Sequence, residues 1–134
     1  MPGPNTFTYF TPKNETQYIT SDSTLRAVIE KFDFHKFTVV PVIDLDGKFL
    51  FTLSEGDVLR FIKNFANFNY SIAENVLVTE IPIYRAYKHL NISAEFEDVC
   101  KLSLSQNFIP LVDDRGMFIG IIRRSKVLDY LINK

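Results

Sequence analysis

Two stretches of the chain repeat one pattern of apolar and polar positions. Residues 39–51 read VVPVIDLDGKFLF, and residues 108–120 read FIPLVDDRGMFIG. In each stretch an apolar run leads into a turn containing Asp and Gly and continues as a second apolar run, which predicts a β-hairpin. Four chemically distinctive residue pairs recur at a constant offset of 69 positions: Pro41 and Pro110, Asp44 and Asp113, Gly47 and Gly116, and Phe49 and Phe118.

Amphipathic helices are predicted on both sides of each hairpin. Apolar residues recur there at helical spacing in both copies, and a short extended segment with a polar helix start, QYITSDST or KHLNISAE, leads each copy. Each copy therefore reads β-α-β-β-α, and the predicted fold class is α+β with two such repeats. The helical positions are Leu25, Val28, Ile29, Phe32, Val58, Leu59, Phe61, Ile62 and Phe65 in the first copy, and Phe96, Val99, Cys100, Val127, Leu128 and Leu131 in the second.

The repeats are joined by a segment reading NFANFNYSI. This segment is polar and aromatic rather than rich in Gly and Ser, which predicts a short connection packed against the body. Ser71 and Glu74 have the spacing of a capping box, so a short helix is expected through about residue 78. The predicted divisions are an N-terminal tail over residues 1–9, a first repeat over 10–63, a linker over 64–72 and a second repeat over 73–134.

Composition and charge argue against several classes of function. Fifteen basic and sixteen acidic residues leave a formal net charge of −1, and no basic stripe is present, so DNA is not expected as a partner. No stretch is apolar over the length needed to span a bilayer, so no membrane association is expected. The single cysteine, Cys100, allows no disulfide within the chain, which favours a reducing, cytoplasmic setting. His35 and His89 are isolated, so neither a metal site nor a bound cofactor is predicted.

Three segments carry a resemblance to a known family. They are TPK at 11–13, FTVVPVIDLDGKFLFTLSEGDVLRFI at 37–62 and NFIPLVDDRGMFIGIIRRSKVL at 107–128. Together with the repeat, they make the chain resemble a pair of CBS domains, also called a Bateman module, from about Phe10 to Leu131. The resemblance implies two three-stranded sheets packed face to face about a pseudo-two-fold axis.

The same resemblance implies a regulatory function. CBS pairs bind AMP, ADP, ATP, S-adenosylmethionine or cyclic di-AMP in two clefts and pass the occupancy to a partner protein. The chain looks most similar to small stand-alone bacterial members associated with adenine nucleotides and cyclic di-AMP. Family members usually form homodimers through their helices, and the apolar positions around Phe32, Phe61 and Phe65 would supply such a surface.

Ser54 and Asp57 lie where a predicted strand turns into a helix, a position that favours an anion. On the family pattern Ser54 hydrogen-bonds a phosphate and the Asp57 carboxylate accepts bonds from two ribose hydroxyls. The alternative is that Ser-x-x-Asp is a plain capping box, and both roles can coexist. The resemblance places the adenine of this cleft against Asn107 and Phe108, with Ile81 and Pro82 from the strand that leads the second repeat, and it places Phe37 and Thr38 near the phosphates. Alternatively, Phe108 and Ile81 are simply core residues.

The second cleft departs from the family pattern. At the offset of 69 positions, Arg123 stands in place of Ser54, and Lys126 stands in place of Asp57. The ribose-binding carboxylate is therefore missing, whereas the arginine fork suits phosphate. The predicted ligand residues of this cleft are Thr38, Val39, Thr11, Pro12, Arg123 and Arg124; the alternative is that the arginines are solvated charges that pair with Asp113, Asp114 or Asp129.

The sequence leaves three classes of function to compare, and it supports catalysis least. Cys100 lies at a core-facing helical position and Ser54 has no histidine in its motif, so no enzyme is predicted. The preferred interpretation is a regulatory module that binds an adenine nucleotide in the cleft between the repeats. The alternative is a ligand-free scaffold for dimerisation or interaction with degenerate sites.

Overall fold

The computed structural model describes residues 4–133, so residues 1–3 of the predicted tail lie outside the described part. The chain falls into two compact units. The first, which we call the central unit, comprises residues 18–86, and the terminal unit combines residues 4–17 with residues 87–133. The predicted repeat boundaries at 10–63 and 73–134 remain predictions about the sequence, since the compact units divide the chain differently.

Seven strands and five α-helices are present in residues 4–133. The strands are β1 Phe10–Pro12, β2 Ile19–Thr20, β3 Val39–Ile43, β4 Phe49–Ser54, β5 Leu90–Asn91, β6 Phe108–Val112 and β7 Phe118–Arg123. The helices are α1 Leu25–His35, α2 Glu55–Lys63, α3 Tyr70–Glu74, α4 Phe96–Ser103 and α5 Arg124–Asn133. Short 3-10 helices cover Thr6–Thr8, Lys13–Glu15 and Val78–Glu80. Both predicted β-α-β-β-α repeats are therefore present in the chain order, and the α+β class is confirmed.

The central unit is a three-stranded sheet with its helices packed on a shared core. Strand β2 runs parallel to β3, and β3 pairs antiparallel with β4. Leu25 and Val28 of α1 and Leu53 of β4 are essentially inaccessible to solvent and form part of this core. Helix α1 begins where the Thr24 hydroxyl accepts the Ala27 N–H at 3.2 Å, which satisfies a main-chain donor of the first turn.

The terminal unit contains four strands rather than the three implied by the family resemblance. Its order is β1-β7-β6-β5, because β1 pairs antiparallel with β7 and brings Pro12 beside Gly120. A Cβ atom at position 120 would lie 2.2 Å from the Thr11 carbonyl oxygen, so only glycine admits β1 at this distance. Phe51 occupies the matching position in the first repeat and packs against the central core on β4, beside which residues 4–133 place no fourth strand.

The two hairpins show why their turns carry Asp and Gly. The Asp113 carboxylate accepts the main-chain N–H groups of Arg115 at 2.9 Å and Met117 at 3.0 Å, and Asp44 accepts the equivalent pair in the first repeat. Gly116 adopts a φ of 79°, which an L side chain rarely takes. The Met117 N–H, followed by Arg115, holds the pKa of Asp113 below its ordinary value despite some opposing desolvation.

The segments predicted as tail and linker contain ordered structure. Tyr9 is 2% exposed, and its ring lies 5.5 Å from that of Phe96. In the linker, α3 begins after Asn69, whose side chain accepts the Ile72 N–H, rather than at Ser71 as the capping-box spacing predicted. The reason is that Asn69 supplies the same side-chain acceptor two residues earlier.

Candidate functional site

At the start of α2, the side chains of Ser54 and Asp57 accept hydrogen bonds from main-chain N–H groups of the same turn. The Ser54 hydroxyl accepts the Asp57 N–H at 3.1 Å, and the Ser54 N–H donates to Asp57 Oδ2 at 3.1 Å. Ser54 Oγ also donates to Asp57 Oδ2 at 2.9 Å. The capping-box interpretation of Ser-x-x-Asp is therefore confirmed, whereas the predicted contacts with ribose and phosphate stay predictions.

The other carboxylate oxygen of Asp57 binds the main chain of a distant segment. The Tyr84 N–H donates to Asp57 Oδ1 at 3.0 Å, across 27 positions of the chain. The Arg60 guanidinium lies over the Tyr84 ring, with 4.8 Å between its carbon and the ring centroid. As a result Asp57 is only 1% exposed, and both of its oxygens are engaged by the chain.

The other predicted residues at the start of β3 differ in their contacts: Thr38 and Val39 contact the start of α2, whereas Phe37 contacts α1. Thr38 is exposed, and its carbonyl accepts the Glu55 N–H at 2.9 Å, which joins the start of β3 to the start of α2. Val39 pairs with Ser54 across the sheet. The half-buried Phe37 ring lies 4.9 Å from the ring of Phe32.

Ile81 and Pro82 do not lie in a strand, contrary to the sequence analysis, which assigned them to the strand leading the second repeat. They follow the 3-10 helix Val78–Glu80, and the strand that leads the second repeat is β5, parallel to β6. Ile81 is 3% exposed and belongs to the central core, which confirms that its side chain is a core residue. Pro82 is exposed.

The start of α5 has the opposite charge character to the start of α2. Arg123 pairs with Phe108 across β6 and β7, and the Arg124 N–H donates to the Asn107 carbonyl at 2.9 Å, which repeats the geometry of the central unit. No acidic residue lies in the first turn of α5, and Lys126 is exposed there. Cations at a helix N-terminus are unfavourable unless an anion is bound, because they meet the positive end of the helix dipole.

The arginines do not pair with the carboxylates that the alternative interpretation named. None of the ion pairs in residues 4–133 involves Arg123 or Arg124, and Asp113 pairs with Arg115 instead. Within residues 4–133 the Arg124 side chain has one hydrogen bond, in which its Nε donates to the Ser103 carbonyl at 2.8 Å, at the C-terminal end of α4. Its terminal nitrogens remain available for an anion.

The remaining predicted residues of the terminal unit lie along its strands. Thr11 and Pro12 are half-buried on β1. The exposed Asn107 side chain accepts the Tyr87 hydroxyl at 3.4 Å, and the Tyr87 ring lies 5.5 Å from that of Phe108. Phe108 is 6% exposed, so the prediction that its side chain belongs to the core is confirmed.

The sequence analysis missed Gln106, which orders the main chain beside Phe108. Gln106 is 5% exposed, donates to the carbonyls of Lys88 and Phe108 at 3.0 and 3.1 Å, and accepts the Lys88 N–H at 2.7 Å. It missed the Arg60 contact with Tyr84 as well. The only available sequence signal for Gln106 was a polar side chain directly before a buried strand.

Taken by unit, the predicted site residues form two groups. The central unit holds the first group and the terminal unit the second. These are Ser54, Asp57, Phe37, Thr38, Val39, Ile81 and Pro82 in the central unit, and Thr11, Pro12, Asn107, Phe108, Arg123 and Arg124 in the terminal unit.

Metal-binding and nucleophilic chemistry find little support in the described residues. No group of three or more His, Cys, Asp or Glu side chains within residues 4–133 lies close enough to hold a metal ion. Cys100 is half-buried, and burial raises the pKa of its thiol, which disfavours the reactive thiolate. No helix in the same range is long and apolar enough to cross a membrane.

Comparison with known proteins identifies the family. The family model of the CBS domain matches residues 12–64 and again residues 78–133. The chain belongs to the CBS domain family. A protein of Methanocaldococcus jannaschii is 24% identical over 139 residues, covering 83% of each sequence.

Solved structures of other CBS proteins share the fold. A CBS domain protein of Streptococcus pneumoniae superposes with a TM-score of 0.83 at 18% identity, covering 95% of this chain and 86% of that one. CbpB of Listeria monocytogenes in complex with cyclic di-AMP gives 0.80 at 17% identity and covers 92% of both chains. CBSX2 in complex with AMP gives 0.75 at 20% identity, with 98% of both chains covered.

Proposed function

We propose that this CBS protein is a regulatory module that binds an adenine nucleotide, namely AMP, ADP, ATP or cyclic di-AMP, and passes its occupancy to a partner protein. The observation that carries the proposal is the start of α5. There Arg123, the last residue of β7, is followed by Arg124 and Lys126 in the first turn of α5, which holds no acidic residue, and neither arginine is ion-paired within residues 4–133. Such a helix start is electrostatically incomplete without an anion, and arginine binds phosphate oxygens in pairs.

Related structures support the adenine part of the ligand. CbpB was solved with cyclic di-AMP and CBSX2 with AMP, and both share the fold of this chain. In our proposal Arg123 and Arg124 contact phosphate oxygens in the terminal unit. Asp57 is the proposed acceptor for ribose hydroxyls in the central unit.

A ligand-free scaffold is the second candidate, and one observation favours it. The Asp57 carboxylate is 1% exposed and already accepts three hydrogen bonds from the chain. Moreover, Lys126 replaces the equivalent carboxylate in the second repeat. A protein that had lost its ligand would keep such internal contacts and the fold.

A thermal-shift panel with AMP, ATP and cyclic di-AMP separates the two candidates. A ligand that binds only the folded state raises stability by about 2.7 kcal/mol at a hundredfold excess over its Kd. Calorimetric titration of Arg124→Ala then tests the phosphate contact, with Lys48→Ala, an exposed hairpin residue, as the matched loss of positive charge. Absence of any shift at millimolar concentrations of all three ligands would favour the scaffold.

A homodimer is part of the same proposal. The predicted dimer surface needs revision, because Phe32 is 9% exposed and packs in the central core. Phe34 at the end of α1 is 81% exposed and Leu59 on α2 is 61% exposed, so the same two helices still present apolar area. Light scattering coupled to size exclusion tests the dimer, and a monomer at all concentrations would contradict this part of the proposal.

A further inference from the structure

A groove with a volume of about 510 Å³ lies between α1 and α2 of the central unit. Part of its lining is apolar and is buried or half-buried, namely Phe32, Val58 and Ile62. Three exposed charged residues line it as well, namely Asp33, Lys36 and Glu55. The groove therefore offers an apolar surface to a protruding side chain, with charged groups at its edge.

Glu55 is the carboxylate of this groove that stays outside the ion pairs of residues 4–133. Asp33 pairs with Lys36 at 3.1 Å, whereas Glu55 takes part in none of the ion pairs in that range. An exposed carboxylate here disfavours the anionic nucleotides of the proposed function and favours a partner that carries a cation. The chemistry of the groove thus matches an apolar side chain with a positive charge beside it.

The terminal unit carries this combination at the end of α4. Leu104, directly after α4, is 87% exposed. Arg124 lies close to it, because the Arg124 Nε donates to the carbonyl of the preceding residue, Ser103, at 2.8 Å. In the repeat, Leu104 and Arg124 stand 71 and 69 positions after Asp33 and Glu55, which are their equivalents in the first copy. Equivalent positions of the two units therefore carry complementary surfaces.

We propose that Leu104 and Arg124 of one copy dock in the groove between α1 and α2 of a second copy, so that unlike units meet in the homodimer. Leu104 enters the groove, and Arg124 pairs with Glu55 of the partner subunit. Pairing of two central units would instead bring two Glu55 carboxylates into one interface, and pairing of two terminal units would bring two Arg124 side chains together, which is unfavourable. This inference deepens the proposed function, since it rests on the homodimer proposed there.

The test measures the Kd of the dimer by sedimentation equilibrium. It uses nucleotide-free protein, because a phosphate on Arg124 would compete with the carboxylate. Leu104→Glu should raise the dimer Kd by about thirtyfold or more, since it places a carboxylate in an apolar groove beside Glu55. The matched control is Leu45→Glu, which changes a leucine that is 72% exposed in the first hairpin and should leave the dimer Kd within about twofold.

A charge exchange identifies the partner of position 104. Glu55→Lys alone should raise the dimer Kd about tenfold, because a lysine would face Arg124. The combined variant, Leu104→Glu with Glu55→Lys, should dimerise about tenfold more tightly than Leu104→Glu alone, because the two new charges attract each other. Leu104 and Glu55 are both exposed, so all of these variants should keep the Tm of the wild-type protein.

The possible failures are distinguishable. If the wild-type protein dimerises and neither Leu104→Glu nor Glu55→Lys weakens the dimer, the docking is wrong and the homodimer stands. If each substitution weakens the dimer but the combined variant is no tighter than Leu104→Glu, the pairing of unlike units is wrong. A wild-type protein that stays monomeric at every concentration would overturn the homodimer and the docking together, whereas the calorimetric titration still decides nucleotide binding.

Discussion

Replacing Asp57 with alanine should destabilise the protein far more than its position on a surface helix suggests. The substitution removes an acceptor from the Ser54 N–H, the Ser54 hydroxyl and the Tyr84 N–H. Loss of a helix cap costs about 1 kcal/mol, and a part-buried donor left without its charged acceptor costs about 1 to 3 kcal/mol. Partial access of water to these donors reduces the sum, so we expect a loss of about 2 to 4 kcal/mol.

Urea denaturation measures this loss, and the repeat supplies the matched control. Lys126 occupies the same position in α5 and is exposed, so Lys126→Ala should change the free energy of unfolding by less than about 0.5 kcal/mol. The slope of the unfolding curve should be the same for both variants. A loss below about 1 kcal/mol for Asp57→Ala would refute the view that this carboxylate joins the helix to the Tyr84 segment.

The same result bears on ligand experiments with this residue. A native domain is stable by only about 5 to 15 kcal/mol, so Asp57→Ala loses a large share of it. Weak nucleotide binding by this variant is informative only at temperatures where its unfolding curve shows a folded protein. Arg124→Ala needs the same check, because Arg124 Nε also donates to the Ser103 carbonyl.

Two further predictions concern the hairpins and the fourth strand. Gly120→Ala should lower the free energy of unfolding by about 2 to 4 kcal/mol, because a Cβ there would lie 2.2 Å from the Thr11 carbonyl oxygen at a φ of 155°. Gly56→Ala, whose Cβ would have no neighbour nearer than 3.7 Å, should change stability by under about 1 kcal/mol in the same urea experiment; equal effects would contradict the close approach of β1. The folded pKa of Asp113 is lowered, so its contribution is present above the unfolded pKa and lost as pH falls through the folded pKa. Asp113→Asn should therefore lower Tm at neutral pH, with a difference that shrinks in acid, whereas Asp46→Asn should not; a pH-independent difference for Asp113→Asn would refute this reasoning.

The hairpins and helices were predictable because their causes are local. The Asp and Gly of each turn act on main-chain groups within four residues, as Asp113 does with Arg115 and Met117. Helix periodicity and the Ser-x-x-Asp cap also act over a few positions. The repeat then required both copies to have the same secondary structure, which the matching register of Val39 with Ser54 and Phe108 with Arg123 shows.

The fourth strand and the Tyr84 contact were not predictable in this way. Strand β1 is three residues long and carries no alternation of its own, and its partner β7 begins more than a hundred positions later. In the sequence, Gly120 stands out only because the first repeat has Phe51 at the matching position. The reason for this difference is the close approach of β1. The donor to Asp57 is a main-chain N–H, which every residue except proline possesses. The residue type at position 84 therefore does not predict this hydrogen bond.

The sequence alone therefore determined the family, the repeat, the β-α-β-β-α order within each repeat, and the unequal charge at the two equivalent helix starts. Those features follow from residue type and short spacing. The tertiary structure decided which strand Gly120 accommodates, and it showed that Asp57 is buried beneath the Tyr84 segment and held by three donors. These are contacts across long chain separations, where geometry selects a partner that the residue types leave open.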